Sequence, residues 1–294
     1  MPQRTPLPVD VFLGGKPASG RQALRGMKRA EEEQKRRFQA RKQDHTARAR
    51  AQAPLRAALA KQLGEAAKTT FGGIDALQKK QRQTKLARPA LVKEQAAIWC
   101  GAVGIRRVPP YDYQWSWSAR DDSSATDAVS ASAATGEENF WLVNGDDSAH
   151  AWGACAVGVY FRPISPSGYV HLSSTPAFTY SWYTYCTLAS AHSDAWIGLY
   201  AGQYTLAGDL DRVAVDQQTS LWSDDSWTVG AGGHSGSNSG YPLSAWFTVD
   251  SNHWYAMWAW CGGSIYGDGS HTFWGSFGMS SMNLLVPSIS IVLY

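Results

Sequence analysis

Lysine is absent from residues 95–294 of this chain, and most of the basic groups lie before them. Residues 1–94 hold 22 Lys and Arg against 8 Asp and Glu, whereas residues 95–294 hold 5 Arg against 16 Asp and Glu. The formal net charge of +3 therefore combines a part at +14 with a part at −11. Such an asymmetry is typical of a basic arm joined to a separate domain.

Tryptophan and tyrosine are absent from the basic part, where Phe12, Phe38 and Phe71 are the only aromatic residues. Burial of apolar area stabilises a fold by roughly 25 cal/mol per Å², and aromatic side chains bring the largest areas. We therefore expect three units. Residues 1–20 form an extended arm, residues 21–95 form a basic helical segment for oligomerisation or packing, and residues 96–294 form a Trp/Tyr-rich β-sandwich domain.

Long apolar runs are also missing. No stretch approaches the ~20 apolar residues of a membrane-spanning helix. The apolar run at residues 9–14 is too short for the core of a signal peptide. The sequence predicts no membrane span and no secretory signal, which favours a cytoplasmic protein or one exported by a non-classical route.

Cysteine is scarce. Cys100, Cys155, Cys186 and Cys261 each lie in an apolar or aromatic run, without a C-x-x-C motif or a histidine at ligand spacing. We interpret them as buried free thiols, and disulfides remain the alternative, with three pairings open. No metal ion and no cofactor is expected.

The basic segment has the sequence features of helices. Glutamates at 31–33 precede basic residues at 35–37 by four positions, in the orientation that stabilises a helix. Leu55, Leu59 and Leu63 then form a narrow stripe at i+4 spacing. Such a stripe favours association of helices between copies, hence a homo-oligomer, with packing on the chain's own β domain as the alternative.

The densest basic cluster is a candidate anion-binding site. Its members are Arg36, Arg37, Arg41, Lys42, Arg48 and Arg50. Lys and Arg neutralise phosphates without needing a particular fold, so a nucleic-acid partner stays open. A solvated helix, or one that meets the acidic domain, is favoured because the segment lacks a recognition motif and base-stacking aromatics.

Residues 96–294 have the pattern of short strands separated by Gly, Ser, Asn, Asp and Pro. The clearest strand alternates Tyr111, Tyr113, Trp115 and Trp117 with polar residues, which indicates one aromatic and one polar face. We expect a mostly β chain: an antiparallel β-sandwich or jelly roll of 8–11 strands, with a barrel as the alternative, preceded by a basic α-helical segment.

Two tryptophan groups are candidate ligand sites. Trp222 and Trp227 flank Asp224 and Asp225. A structural turn is the favoured interpretation, and ligand contact is the alternative, because aromatic stacking beside carboxylate acceptors suits carbohydrate binding. The residues at 254, 258 and 260 are also tryptophans on one face of a strand. Because the other face is apolar too, we expect that strand to be central and packed in the core.

No catalytic residue is assigned. The chain has no G-x-S-x-G motif, and Glu137 and Glu138 are the only glutamates after residue 94. The sequence predicts a non-catalytic binding or assembly protein, a β-sandwich module tethered and multimerised by its basic helical N-terminus. Three alternatives remain: a lectin-like adhesin or toxin component that binds a glycan, a capsid-like shell protein with a nucleic-acid-binding arm, and a hydrolase.

Overall fold

The structure is a computed structural model, and it describes most of the chain after residue 103. The described residues are 12–13, 104–121, 125–144, 149–163, 166–268 and 276–294, together with most of the residues between 32 and 62. The described residues between 32 and 62 are helical. The predicted fold class, mostly antiparallel β preceded by a basic helix, is confirmed.

Thirteen strands run through the described residues, two more than the upper expectation. They are β1 (Phe12–Leu13), β2 (Ile105–Arg107), β3 (Tyr113–Arg120), β4 (Thr126–Ser132), β5 (Glu137–Val143), β6 (Ala149–Pro163), β7 (Gly168–Ser174), β8 (Ala177–Thr205), β9 (Leu210–Asn238), β10 (Leu243–Val249), β11 (His253–Gly267), β12 (Ser276–Leu285) and β13 (Ile289–Leu293). β1 and β2 are too short to show an alternation in sequence.

The hairpin of β8 and β9 organises the larger sheet, which has nine strands. Each strand of the hairpin is 29 residues long, and the two pair along almost their whole length. The other edge of β8 pairs with β12 over residues 177–186 and with β11 over residues 191–205. The hairpin therefore joins two layers, one built on β11, β6 and β3 and the other on β12, β5 and β4.

The two layers face each other across a single apolar core. Strands of one layer contact strands of the other, as β5 does with β6 and β11 with β12. The core draws large buried side chains from both layers, including Leu142, Val157, Ile197, Met257 and Met282. This stacking is the predicted β-sandwich.

A second sheet of four strands, in the order β10-β7-β13-β2, covers the same core. In β7 and β10, buried apolar side chains such as Leu172 and Phe247 alternate with more exposed ones, and Ile291 of β13 lies in the same core cluster. A period of two in these strands places one face inside and the other in solvent. Among the described residues, the outer face of this sheet carries exposed side chains such as Tyr169 and Trp246.

The long hairpin includes two segments that the local sequence does not reveal as parts of long strands. Residues 179–188 and 195–204 both lie in the single strand β8. The Gly- and Ser-rich residues 233–236 pair with Tyr180, Ser181, Trp182 and Tyr183 within β9. Glycine and serine have little preference for strands, so the main-chain pairing with β8 determines this conformation.

The burial of the cysteines and the central position of β11 agree with the predictions from the sequence. Cys155 and Cys261 are buried free thiols, Cys186 is buried as well, and Cys100 lies outside the described residues. β11 lies between β6 and β8. Trp258 and Trp260 are each 2% exposed. The tryptophans of this strand are therefore packing residues.

The division of the N-terminal part into an arm at residues 1–20 and a helical segment at residues 21–95 remains a prediction, because much of residues 1–95 lies outside the described residues. Within the residues that the structure describes, no helix is long and apolar enough to span a bilayer. Residues 12–13 form β1, which pairs with the end of β6.

The second sheet offers a test of its packing. Replacing Ile291, 1% exposed in β13, with alanine should lower the free energy of unfolding by about 2–5 kcal/mol, because it leaves a cavity in the shared core. The control Ser290→Ala changes the neighbouring side chain on the opposite face and should cost less than about 0.5 kcal/mol. Urea denaturation measures both; equal effects would show that Ile291 is not a core residue.

Candidate ligand-binding surface

The outer face of β3, β6, β11 and the second half of β8 is rich in aromatic rings. We call it the aromatic face, and its rings are Tyr113, Trp115, Trp117, Trp152, Tyr160, Trp196, Tyr200, Tyr204, Trp254, Trp258 and Trp260. Trp258 stacks on its cross-strand neighbour Tyr200 with 4.0 Å between ring centroids. A Cβ atom on Gly198 would lie 2.5 Å from Trp260 Nε1. Small residues between the rings thus let them lie close to the sheet.

The basic N-terminal helix lies on this aromatic face. The Arg41 guanidinium is 3.9 Å from the centroid of the Trp196 ring. Two lysines make longer contacts of the same kind, Lys35 with Trp117 and Lys42 with Trp152, at 5.5 Å each. Cation–π contacts are stronger when water is excluded. Burial lowers the pKa of Arg41, in keeping with a desolvated position between helix and sheet.

Ion pairs add to the contact between helix and sheet. Arg37 pairs with Asp216 of β9, and Lys42 Nζ lies 2.7 Å from Asp121 Oδ2. Part of the basic segment is therefore neutralised by the acidic domain of the same chain. These pairs are partly exposed, so each contributes little stability by itself.

A row of polar groups borders the aromatic face. His150, Tyr266, His192 and Asp225 lie opposite one another on β6, β11, β8 and β9. His192 Nδ1 is 2.6 Å from Asp225 Oδ1, and its Nε2 is 2.8 Å from Asp194 Oδ2. Burial alone would lower the pKa of His192, but the two carboxylates outweigh it and raise the pKa to about 9.

His192 is consequently an imidazolium near neutral pH, with both ring nitrogens donating to carboxylates. It has no nitrogen available as a general base. Asp194 is held in turn by the main-chain N–H and hydroxyl of Ser264, at 2.9 and 2.7 Å. The cluster is suited to holding β8, β9 and β11 together.

A second histidine pair lies at the start of β6. His150 Nδ1 is 2.8 Å from Asp121 Oδ2, and the His150 ring stacks on Tyr266. Burial would raise the pKa of Asp121, but hydrogen bonds from His150 and Lys42 outweigh it and hold that pKa well below its usual value. This carboxylate therefore links the helix to the sheet.

The raised pKa of His192 makes stability depend on pH. A group that binds its proton more tightly when folded stabilises the fold fully below its unfolded pKa of about 6.5. That contribution, on the order of 3 kcal/mol for a folded pKa of about 9, is lost as pH rises between these values. His192→Gln should therefore be most destabilising at pH 6 and least above pH 9. Denaturant unfolding across this range measures it; a constant difference would contradict the raised pKa.

The structure separates the residues of the predicted ligand site. Trp222 is 8% exposed; its ring stacks on Tyr180, and its Nε1 donates to Ser193 Oγ at 3.2 Å. Asp224 accepts a hydrogen bond from the Thr184 hydroxyl. Successive side chains on a strand point to opposite faces. Trp222 and Asp224 are therefore on one face of β9.

Asp225 takes the other face of β9, where it meets His192. The side chain of Trp227 lies outside the described residues. The segment is a strand rather than a loop, and its alternation separates the side chains that the sequence groups together. The Trp222 ring is occupied by core contacts.

The predicted anion-binding cluster is divided in a similar way. Arg37, Arg41 and Lys42 contact the sheet as described above, and Arg48 Nη2 pairs with Asp44 one helical turn away at 2.7 Å. Arg36 and Arg50 are exposed. Half of the cluster thus faces the chain's own acidic domain.

An exposed aromatic group lies on the outer face of the second sheet. We call it the Trp246 patch, and it consists of Tyr169, His171, Trp246 and Tyr294. Trp246 is 58% exposed and Tyr169 is 51% exposed. The Trp246 ring stacks on His171 with centroids 4.5 Å apart and lies 5.1 Å from the Tyr294 ring. Burial lowers the pKa of His171, so its imidazole is neutral near pH 7.

The sequence contains a signal for this patch. In β10, Trp246 lies in phase with the exposed residues Ser244 and Thr248, while Leu243 and Phe247 are buried. An aromatic residue at a polar position of an alternating strand is expected in solvent. The pattern in β7 is the same, since Tyr169 and His171 alternate with buried residues.

Comparisons with known proteins leave the family open. No protein-family model matches the chain, and no curated protein sequence does. Among solved structures, the chain is similar to the CBM22-1 xylan-binding domain of Xyn10C from Paenibacillus barcinonensis. The identity is 10%, the match covers 64% of this chain and 98% of that domain, and the TM-score is 0.15. A TM-score this low carries no argument, so the β-sandwich assignment rests on strand pairing.

Proposed function

We propose that this protein is a non-catalytic binding module that takes a carbohydrate chain on the Trp246 patch. The observation that carries the proposal is the exposed ring of Trp246, stacked on His171 on the outer face of the second sheet. Aromatic side chains that are exposed together on a protein surface mark an interaction site, because a ligand that covers them removes their apolar area from water.

The chemistry of the patch suits a sugar ring. An aromatic side chain has a flat apolar face and, in Trp and Tyr, a polar group at its edge. Sugar rings likewise combine an apolar C–H face with hydroxyl groups at the rim. The neutral imidazole of His171 supplies one donor and one acceptor for hydroxyls. The exposed residues Ser244 and Thr248 supply more on the same strand as Trp246.

The size of the patch favours a small ligand over a protein. A stable protein interface needs roughly 800 Å² on each partner, whereas this patch consists of four side chains. The rings of the aromatic face are buried or half-buried, and the basic helix lies over three of them, Trp117, Trp152 and Trp196, so this face is less accessible to a ligand in this arrangement.

Trp246→Ala should weaken binding to the glycan it recognises by roughly tenfold, because one stacking platform is lost. Its stability should change little, since the side chain is mostly in solvent. Screening the full chain on a glycan array identifies the ligand, and titration calorimetry measures the affinity of the variant. Leu206→Ala, at an exposed position between β8 and β9, is the control and should bind as the unaltered chain does.

The variant Trp222→Ala distinguishes binding at the Trp246 patch from binding at the ligand site that the sequence suggests around Trp222. Because Trp222 is a core residue, the change should lower the free energy of unfolding by about 3–5 kcal/mol. The folded fraction should still bind the glycan. No array binding by the unaltered chain, or binding unaffected by Trp246→Ala, would exclude the Trp246 patch as the site.

A second candidate function is assembly through the basic helix. The helix is held on the aromatic face by Arg37, Arg41 and Lys42. Farther along, Leu55 is 60% exposed. Leu59 and Leu63, which complete its stripe, lie outside the described residues. A helix anchored at one end can present this stripe to the same stripe of a second copy.

Leu55→Glu should convert an oligomer to monomers, because burial of a leucine contributes about 1.5–3 kcal/mol and a buried carboxylate opposes it. Ala53→Glu adds the same charge two positions away, where side chains do not share a helix face, and should leave the size unchanged. Light scattering over a concentration series measures both. A monomeric unaltered chain would exclude this candidate.

A further inference from the structure

A buried carboxyl group meets two thiols inside the sandwich. Glu138 lies on β5 of one layer, whereas Cys155 and Cys261 lie opposite each other on β6 and β11 of the other layer. All three residues are 0% exposed. One potential ligand atom from each lies within 4.8 Å of the others. Three strands therefore bring these groups to a single point in the core.

The carboxyl group is only partly satisfied by protein groups. Glu138 Oε1 accepts a hydrogen bond from the main-chain N–H of Val157 at 3.0 Å. The other oxygen, Oε2, is buried without a conventional hydrogen bond among the described residues, and Cys261 is the residue that contacts the carboxyl group through weak hydrogen bonds. Buried carboxyl groups usually have stronger partners than a thiol, so a carboxyl group enclosed with two thiols in the core is a candidate set of metal ligands.

The geometry points to a zinc ion, and we propose that Glu138, Cys155 and Cys261 bind Zn²⁺ in the core of the sandwich. Cys155 Sγ and Cys261 Sγ are 3.6 Å apart. Two thiolates at about 2.3 Å from a tetrahedral zinc ion are roughly 3.8 Å apart, whereas a disulfide brings the sulfurs to about 2.0 Å. The observed separation agrees with the zinc geometry.

The chemical types of the three ligands favour zinc over calcium and magnesium. Cysteine thiolates favour zinc and other soft or borderline cations, and a carboxylate oxygen is a known zinc ligand. Calcium and magnesium require several oxygen ligands, and this cluster offers one carboxylate. The main-chain oxygen of Asn139 lies 3.6 Å from Cys155 Sγ and is a further oxygen atom near this ligand.

Zinc at this point would connect the two layers of the sandwich through their side chains. Binding would release the protons of both thiols and of the Glu138 carboxyl group to solvent. Affinity should therefore increase with pH.

Metal analysis of the full chain, produced with zinc in the medium, tests the proposal. About one zinc per chain is expected in the unaltered protein, and a loss of tenfold or more in the double variant Cys155→Ser, Cys261→Ser. Cys186→Ser is the matched control, because Cys186 is a buried thiol in a separate cluster of β8. It should retain the metal. Zinc retained by the double variant, or absent from the unaltered chain, would overturn the proposal.

A second measurement does not depend on the folding of that variant. Cobalt added to the metal-free chain should produce a thiolate-to-cobalt charge-transfer absorption, in the unaltered protein and in Cys186→Ser alike. Glu138→Gln should weaken zinc retention while leaving both sulfurs in place. An absence of the absorption, or a disulfide between Cys155 and Cys261 in the intact mass, would exclude the site.

Discussion

The main-chain pairing of β8 with β9 is the constraint on which the rest of the structure depends. Because β8 pairs with β12 in its first part and with β11 in its second, both layers of the sandwich share one hairpin. That arrangement places β5 opposite β6, so the core side chains of the two layers meet. It also brings His192 of β8 to Asp225 of β9, where a buried charge network joins the strands.

The abundant aromatic residues have three separate roles. Some fill the core between the layers, as Phe140 and Tyr255 do. Others form the aromatic face, where the basic helix excludes water and its cations lie over the rings. Trp246 alone among the described tryptophan side chains is mostly exposed. The charge asymmetry of the chain thus has a structural use, because acidic positions of the sheet meet basic positions of the helix.

Much of the fold could be predicted from alternation. The polar and aromatic faces of β3, the central position of β11 and the mostly β class follow from apolar positions repeating every two residues. The length of β9 could not be predicted, since its Gly- and Ser-rich end resembles a turn until it is paired with β8. That Trp222 and Asp225 lie on opposite faces of β9 could not be predicted either, because the sequence does not show whether this segment is a strand or a loop. Trp246 could have been found from its position between Ser244 and Thr248.

By itself, the sequence determined the division into a basic, helix-forming part and an acidic β part, and which face of each clear strand is apolar. Local pattern and charge are sufficient for those properties. Only the tertiary structure decided which residues meet: Arg41 on Trp196, Asp194 on His192, and Glu138 on two cysteines that are 106 residues apart. Such contacts depend on strand order and register, which pair positions distant in the chain and leave no signature in local spacing.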